Sequence, residues 1–431
     1  MVRSAPSVRF VTAPRFRGLF TLPGDKSISH RLAILGAMAE GETRIENFST
    51  ALDCASTLSC LATLGLDVRR REASVLIGGR GPGGLSRPRS VLDAGNSGST
   101  LRMLAGVLAG RPFRSVLDGD DSLRRRPMER VAEPLRAMGA SVAATAGRPP
   151  LTIDGGRLRG VRWELPVASA QVKTAVLLAG LQAEGETTVR EPATSRDHTE
   201  RLLPAFGVAV GRHGRDVSVL GGRPLRAASL AAPGDVSSAA FLVVAALILR
   251  DSEVRIEGVL LNPLRTAFLD VLRQMGAAID TGVVHQDPEP VGWIAARSSA
   301  LRGTAVPAAA VPALIDEIPV LAVAAAHATG TFTVTGAGEL RAKESDRIAA
   351  LCEGLSRMGA AVEERPDGFV VDGGHRLRGA AVRAHGDHRI AMALAVAALA
   401  AEGETEIEGA ECAAVSFPGF YEVLERGARG G

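Results

Sequence analysis

Lysine is almost absent from this chain, and the three lysines that remain lie in short polar motifs. The sequence has 50 basic residues among 431, but only Lys26, Lys173 and Lys343 are lysines. Arginine stays protonated at physiological pH, whereas the ammonium group of lysine can shift its pKa and transfer a proton. The pattern therefore indicates chemistry at these three positions, with compositional drift as the alternative.

The motif around Lys26 has residue types that bind phosphate. Lys26, Ser27 and Arg31 lie at the predicted start of a helix, where backbone N–H groups and the helix dipole favour an anion. The motif is not a Walker A loop, because Asp25 separates Gly24 from the lysine. A capped helix with solvated charges is the alternative interpretation.

Further polar clusters lie at helix starts and in loops later in the chain. Gly98 lies in a turn of small residues that lets a ligand approach the backbone, and Arg126 ends a basic loop. Lys343 and Arg347 are four residues apart, a spacing that predicts one shared helical face. Asp316 opens another predicted helix, where a carboxylate stabilises the dipole. An exposed loop for Arg126 and a simple helix cap for Asp316 are the alternatives.

Six similar segments follow one another at intervals of about 70 residues. Each opens with small or polar residues before an apolar helical run, and the openings lie at positions 24, 95, 169, 234, 316 and 386. A glycine after a large apolar residue then ends a second helix, at Gly65, Gly139, Gly207, Gly276 and Gly359. Alternating strands follow each glycine. Each segment therefore predicts a helix, a strand, a second helix and a strand hairpin.

The period and the apolar helices predict how these segments assemble. A period of about 70 residues is too long for a solenoid, so six α+β units in two domains of three fit best. The N-terminal strand is expected to complete the sixth unit. The first helix of each unit is apolar along its length, which predicts burial on all sides. We expect uncapped N–H groups at the starts of these helices, which form an anion site where several converge.

Composition excludes several classes of function. The net charge of +3 gives no general attraction to nucleic acids or membranes, and 3% aromatic residues leave few platforms for stacked bases. Four cysteines without a CxxC pair fit a reducing compartment. No signal peptide is evident, so a soluble cytosolic protein is expected. His385 and His388 lack a further ligand set, so no metal site is expected.

Taken in order, the motifs resemble the 5-enolpyruvylshikimate-3-phosphate (EPSP) synthase family of enolpyruvyl transferases. The resemblance rests on residues 23–27, 95–98, 125–127, 169–173, 195–199, 343–347, 386–389 and 416–419. Val415 stands where many members have a lysine before Ser416, and Ala170 stands where many have a second serine. These departures, with the motif at 169–173, indicate a divergent, class II-like branch.

The resemblance implies a fold and a reaction. The fold is α+β, a two-domain inside-out α/β barrel of six βαβαββ repeats, three in each domain. Residues 23–233 form one domain, and residues 1–22 plus 234–431 form the other. The implied reaction transfers the enolpyruvyl group of phosphoenolpyruvate to the 5-hydroxyl of shikimate-3-phosphate and releases phosphate, in the shikimate pathway to chorismate and aromatic amino acids. A cytoplasmic monomer without metal or organic cofactor is implied.

The resemblance also implies site residues. Those for shikimate-3-phosphate are Lys26, Ser27, Arg31, Ser169, Ala170, Gln171 and Arg196. Those for phosphoenolpyruvate are Lys26, Gly98, Arg126, Arg347 and Arg389. Asp316 is the implied proton acceptor with Lys343 as a neighbouring ligand, and either Glu344 or Lys26 protonates the enol methylene. Lys173 matches a motif but no ligand position.

Two other functions remain as alternatives. Enolpyruvyl transferases that act on UDP-N-acetylglucosamine share the fold but usually carry a cysteine in the loop at residues 119–126, where this sequence has none. A non-catalytic RNA-binding repeat protein would place its arginines on phosphates, but the balanced charge and scarce aromatics disfavour it. The expected partners are therefore small-molecule substrates, with no nucleic acid and no membrane.

Overall fold

Short strands and helices alternate throughout residues 7–430, the part of the chain that the computed structural model describes. The α-helices are α1 Lys26–Met38, α2 Leu52–Thr63, α3 Gly98–Ala109, α4 Asp121–Arg124, α5 Glu129–Ala137, α6 Ala170–Gly180, α7 His198–Leu202, α8 Val236–Ile248, α9 Ala267–Gln274, α10 Val311–Leu314, α11 Ile318–Ala326, α12 Arg347–Arg357, α13 His388–Ala400 and α14 Phe420–Arg429. The strands of the first half are β1 Ser7–Val11, β2 Arg17–Thr21, β3 Ala39–Glu46, β4 Asp67–Arg71, β5 Ser74–Arg80, β6 Leu92–Asp93, β7 Arg114–Asp118, β8 Ser141–Thr145, β9 Arg148–Asp154, β10 Arg162–Glu164, β11 Glu186–Arg190, β12 Val210–His213 and β13 Asp216–Leu220. The remaining strands are β14 Leu225–Arg226, β15 Ser229–Ala231, β16 Glu253–Leu260, β17 Ala278–His285, β18 Val291–Arg297, β19 Ala305–Val306, β20 Thr331–Val334, β21 Ala361–Arg365, β22 Gly368–Asp372, β23 Ala381–Arg383 and β24 Glu404–Glu408.

The chain folds into two compact units. Among the described residues, unit 1 comprises residues 7–22, Pro233–Gln286 and residues 290–430. Unit 2 comprises Pro23–Ala232 and Asp287–Glu289. These bounds differ from the predicted domain bounds in two places. Pro233 was predicted in the domain of residues 23–233 but falls in unit 1, and residues 287–289 were predicted in the other domain but fall in unit 2.

Each unit contains three sheets of one design. In unit 2 the strand orders are β14-β3-β5-β4 with β15 also beside β3, β6-β7-β9-β8 and β10-β11-β13-β12. In unit 1 they are β2-β16-β18-β17, β19-β20-β22-β21 and β23-β24-β1. Every sheet has a parallel pair followed by antiparallel pairs. In four sheets helices join the two strands of the parallel pair, because such strands need a long crossover. In the other two sheets the paired strands, β3 with β14 and β15 and β2 with β16, lie far apart in the chain. The predicted sixfold α+β repeat is confirmed.

Strands at the start of the chain complete two sheets of unit 1. Strand β1 pairs antiparallel with β24, with Ser7 opposite Glu408. Strand β2 pairs parallel with β16, with Arg17 opposite Glu253. The first pairing confirms that the N-terminal strand completes the sixth repeat. Unit 1 therefore depends on contacts between the two ends of the described chain.

The first helix of each repeat forms the core of its unit. These helices are α1, α3 and α6 in unit 2, and α8, α11 and α13 in unit 1. In α8 every residue except Ile248 is buried, and all of α11 is buried. Within unit 1, α8, α11 and α13 pack against one another in pairs. The predicted burial along these helices is confirmed, and the sheets lie around them as in an inside-out barrel.

Within residues 7–430, no single helix is both long enough and apolar enough to cross a membrane. Taken together, the bent pair of helical segments Ala308–Leu314 and Ile318–Ala326 has the length and composition of a membrane-spanning helix. The second member of that pair is the buried core helix α11.

The glycines predicted to end the second helices adopt the left-handed conformation. Their φ angles are 89° at Gly65, 110° at Gly139, 81° at Gly207, 93° at Gly276 and 90° at Gly359. An L-residue with a side chain rarely adopts such angles, so glycine ends a helix there with little strain. The position of each strand hairpin is therefore set locally by the sequence.

Helices α3 and α6 approach each other closely at Gly106. A Cβ atom at this position would lie 2.1 Å from the backbone oxygen of Ala175 in α6. Glycine is required here by packing rather than by its backbone conformation. The close approach fixes the packing of α3 against α6.

We expect the substitution Gly106→Ala to destabilise unit 2. Alanine normally stabilises a helix interior by ~1 kcal/mol relative to glycine, so a loss of stability reports the steric overlap. We expect a loss of ~1–3 kcal/mol, measured as a lower midpoint of urea unfolding. Gly156→Ala is the matched control, because no atom lies within 4 Å of its Cβ position. An unchanged midpoint for Gly106→Ala would contradict the close packing.

Candidate active site

In unit 2 the starts of the first helices lie side by side. Arg102 of α3 donates from Nη1 to Oε1 of Gln171 in α6 at 2.8 Å. The Gln171 amide then donates from Nε2 to Oγ of Ser99 at 2.8 Å. These two bonds join α3 to α6 through side chains near the starts of both helices. Gln171 was predicted as a site residue, whereas Arg102 and Ser99 were not.

Polar side chains cap these helices. Asp25 accepts the N–H of Ile28 at the start of α1, and Ser97 accepts that of Thr100 at the start of α3. Ser169, a predicted site residue, caps α6. The expectation of uncapped N–H groups is therefore wrong at these starts, because short polar side chains satisfy donors that the helix leaves without a partner.

Arg31 is buried and links three segments of unit 2. Its Nε donates to Oγ1 of Thr199 at 2.8 Å, its Nη2 to Oγ1 of Thr174 at 3.0 Å and its Nη1 to the backbone oxygen of Ser27 at 2.8 Å. Burial lowers the pKa of Arg31 to about 10, and the charge of nearby Arg196 contributes to the same shift. Arg31 stays protonated at neutral pH, so two cationic side chains lie close together.

Lys26 forms an ion pair that the sequence did not indicate. Its Nζ lies 2.8 Å from Oδ2 of Asp53 in α2. The lysine side chain is 17% exposed to solvent, and the aspartate side chain is 10% exposed. The ammonium group is therefore fixed by a carboxylate yet still reaches the solvent. No local pattern marks Asp53, because 27 residues separate it from Lys26.

Gly98 lies against two arginines. A Cβ atom there would lie 2.6 Å from Nη1 of Arg102 and 3.3 Å from Nη1 of Arg126. Nη2 of Arg126 also donates to Oδ1 of Asn96 at 2.8 Å. The absence of a side chain thus lets guanidinium groups approach the start of α3. Sequence reasoning missed Arg102, although its spacing of four from Gly98 places it on the same helical face.

In unit 1, Arg347 is surrounded by carboxylates. Its side chain is 2% exposed, and Nε lies 2.8 Å from Oδ2 of Asp387. Nη2 lies 2.5 Å from Oε2 of Glu344, and Nη1 lies 3.5 Å from Oδ1 of Asp316. Burial alone would lower the pKa of Arg347, but the three carboxylates outweigh burial and raise it above its usual value. The structure thus brings three predicted site residues together and adds Asp387.

Arg389 forms a second cluster in unit 1. Its Nη1 donates to the backbone oxygen of Asp316 at 2.8 Å and to Oγ of Ser237 at 3.0 Å. The Ser237 hydroxyl donates to Oε1 of the buried Glu317. Ser237 and Glu317 were missed. The repeat carries a signal for the first, because Ser237 holds the position in α8 that Ser27 holds in α1.

The predicted helical face shared by Lys343 and Arg347 is wrong. Lys343 has an extended backbone, and α12 begins only at Arg347. The side chain of Asp346 accepts the N–H of Ala349 and so fixes the helix start after Lys343. Asp316 likewise lies before α11, whose N-cap residue is Glu317. Asp316 is therefore not the helix cap that the alternative interpretation required.

Within residues 7–430, no group of three or more His, Cys, Asp or Glu side chains could hold a metal ion. His385 is one of the two histidines that the sequence analysis considered as metal ligands. Its Nε2 lies 3.0 Å from Oε2 of Glu353.

Comparison with known proteins first defines the class. The enolpyruvyl transferase NikO from Streptomyces tendae has a TM-score of 0.80 over 98% of both chains at 19% identity. At that identity the likeness shows the fold alone. The EPSP synthase from Acinetobacter baumannii has a TM-score of 0.87 at 43% identity, covering 97% of this chain and 98% of that one.

Sequence comparison then defines the family. The profile described as EPSP synthase (3-phosphoshikimate 1-carboxyvinyltransferase) matches residues 11–424. The 3-phosphoshikimate 1-carboxyvinyltransferase of Desulforudis audaxviator is 50% identical over 422 residues, 97% of this chain and 98% of the relative. That of Carboxydothermus hydrogenoformans is 52% identical over 413 residues, 95% of this chain and 96% of the relative. The chain belongs to the EPSP synthase family.

We expect all four cysteine thiols to react slowly in the native protein. Burial raises the pKa of Cys54 and raises those of Cys60, Cys352 and Cys412 to about 12. At pH 8 such a thiol is about one part in ten thousand thiolate, which is the reactive form. Titration with a chromogenic disulfide reagent should show no fast phase until denaturant is added. A fast phase under native conditions would contradict this.

Proposed function

We propose that the protein transfers the enolpyruvyl group of phosphoenolpyruvate to the 5-hydroxyl of shikimate-3-phosphate and releases phosphate, in the shikimate pathway to chorismate and aromatic amino acids. The observation that carries the proposal is identity of about 50% with 3-phosphoshikimate 1-carboxyvinyltransferases over nearly the whole chain. The clusters of cationic side chains in each unit support it, because the two substrates bring two phosphates and two carboxylates.

Unit 2 supplies the proposed ligands of shikimate-3-phosphate. These are Lys26, Ser27, Arg31, Ser169, Ala170, Gln171 and Arg196. Two guanidinium groups, those of Arg31 and Arg196, lie near each other, and paired guanidinium groups bind phosphate through forked hydrogen bonds. The starts of α1 and α6 add a favourable dipole.

The proposed ligands of phosphoenolpyruvate are Lys26, Gly98, Arg126, Arg347 and Arg389. Lys343 is the proposed ligand that neighbours Asp316. Three carboxylates contact Arg347 and fix the orientation of its guanidinium group. Gly98 leaves space beside the guanidinium of Arg126. Small-molecule substrates are the partners that this set of residues requires.

The proposed reaction is addition followed by elimination. A proton is added to the enol methylene, C3 of phosphoenolpyruvate. The 5-hydroxyl oxygen attacks C2 and loses its proton to Asp316. The conjugate base of the acid that protonated C3 then removes a proton from C3, and the C2–O bond to phosphate breaks with release of phosphate. Glu344 and Lys26 are the two candidate acids, because each is an ionisable group of the proposed phosphoenolpyruvate site. No metal ion or organic cofactor enters these steps.

The proposal is tested by mixing the purified protein with phosphoenolpyruvate and shikimate-3-phosphate and measuring released phosphate. Release that requires both substrates is the expected result. UDP-N-acetylglucosamine replaces shikimate-3-phosphate in the control reaction and should give no release. Absence of release with shikimate-3-phosphate would sink the proposed activity, and release with the nucleotide sugar instead would favour the alternative transferase.

We expect Lys26→Arg to lower kcat/KM on the order of a hundredfold, which corresponds to ~2.7 kcal/mol. Arginine keeps the charge, but it stays protonated and its planar guanidinium differs in size and shape from the ammonium group that contacts Asp53 at 2.8 Å. The exchange Arg9→Lys on the exposed strand β1 is the control and should be neutral. Near-wild-type turnover of Lys26→Arg would show that lysine is not required there.

We further propose a cytoplasmic monomer with no nucleic-acid or membrane partner. The near-neutral net charge and scarce aromatic residues support the absence of nucleic-acid and membrane partners. Light scattering measures the mass in solution, for which the chain mass of 44.7 kDa is the expected value. A multiple of that mass would contradict the monomer.

A further inference from the structure

The third lysine, Lys173, lies in a buried ion cluster of unit 2. Its Nζ lies 2.7 Å from Oε2 of Glu191 and 2.7 Å from Oε1 of Glu200. The exposed fraction is 1% for the lysine and 3% for each glutamate. One ammonium group is therefore shared by two carboxylates away from solvent. Neither the sequence motifs nor the proposed reaction gives this cluster a role.

The cluster joins both ends of the segment that carries Arg196. Glu191 follows strand β11 and Glu200 lies in α7, so the two carboxylates bracket residues 192–199. Between them, the backbone oxygen of Ser195 accepts a hydrogen bond from Lys173 Nζ at 3.4 Å. The Ser195 hydroxyl donates to Oε1 of Glu191. The residue directly before Arg196 is thus held through its backbone and its side chain.

The same segment also positions Arg31. Oγ1 of Thr199 accepts from Arg31 Nε at 2.8 Å and lies 2.7 Å from Oγ1 of Thr174. Thr174 follows Lys173 in α6. Lys173 and Thr174 therefore connect α6 to the segment that contacts Arg31 and contains Arg196. A shift of this segment would move both guanidinium groups.

Charge burial makes this arrangement rigid. Burial raises the pKa of Glu200, and the charge of Lys173 opposes that shift. Without the ammonium group, two buried carboxylates would lie close together with no cation between them, which is strongly unfavourable. The carboxylates therefore remain on the ammonium group, and the segment between them has one favoured position.

We propose that Lys173 is a positioning residue for shikimate-3-phosphate. It acts through Glu191, Ser195 and Glu200 to hold Arg196 and Arg31 in a geometry that binds the substrate phosphate. The inference rests on the proposed function, in which these two arginines bind that phosphate. Lys173 itself does not touch the substrate in this proposal.

Two variants test the proposal. Lys173→Met combined with Glu200→Met removes one charge of each sign, so the net charge of the cluster is kept. Glu191→Gln keeps the side-chain volume and tests the contact without a large change in packing. In both we expect KM for shikimate-3-phosphate to rise, about tenfold in the double variant, because misplaced phosphate ligands weaken binding. KM for phosphoenolpyruvate and kcat should stay within about twofold.

Leu108→Ala is the control for destabilisation alone. Leu108 is fully buried near the end of α3, about 15 Å along the helix from its start. The cavity lowers the melting temperature, but it should leave both KM values unchanged. Amide hydrogen exchange in residues 192–199 should accelerate in the two cluster variants and not in Leu108→Ala. Calorimetric titration with shikimate-3-phosphate alone should show the same loss of affinity as KM.

The proposal is overturned if either cluster variant keeps a wild-type KM for shikimate-3-phosphate together with wild-type exchange in residues 192–199. An equal rise of both KM values, or a loss of kcat alone, also overturns it. Should the double variant fail to fold, Glu191→Gln decides by the same measurements. If the wild-type protein turns over neither substrate, the proposed function fails, while hydrogen exchange still decides whether the cluster positions the segment.

Discussion

The structure depends on cationic side chains buried beside carboxylates near the starts of the core helices. In unit 1 Arg347 lies among carboxylates that include Asp387, and in unit 2 Lys173 lies between Glu191 and Glu200. Removing either partner would leave an uncompensated buried charge, so these contacts have little freedom. Lys173 lies in α6, and Asp387 directly precedes α13, and both helices belong to the core of their units. Rigid packing and rigid charge placement are therefore properties of the same elements.

The repeat places an aspartate directly before several of the core helices, and in unit 1 one of these aspartates has two roles. Asp25, Asp235 and Asp387 precede α1, α8 and α13, and each accepts an N–H from the first turn. Asp387 also accepts from Arg347. A residue that is needed to begin a helix thus also orients a guanidinium group proposed to bind substrate. Local helix geometry and the site are coupled through that one side chain.

Much of the fold could be predicted because its signals are local. Glycines that require a positive φ, apolar helical runs and alternating strands recur in every segment, so six α+β repeats followed from spacing alone. The pairing of β1 with β24 followed from the incomplete sixth repeat. The start of α12 was misjudged, because spacing by four suggested one helix through Lys343 and Arg347. The Asp346 cap, a contact of one side chain with the Ala349 N–H, decides it.

The sequence by itself determined the repeat, the buried helices, the family resemblance and the candidate residues, because each is expressed in residue types at short spacing. Only the tertiary structure decided which partners these residues have. Asp53 pairs with Lys26 across 27 residues, and Ser237 contacts Arg389 across 152. Such contacts depend on how helices pack, which no local pattern encodes. The same is true of Lys173, which the sequence marked as unusual and the fold placed between two buried glutamates.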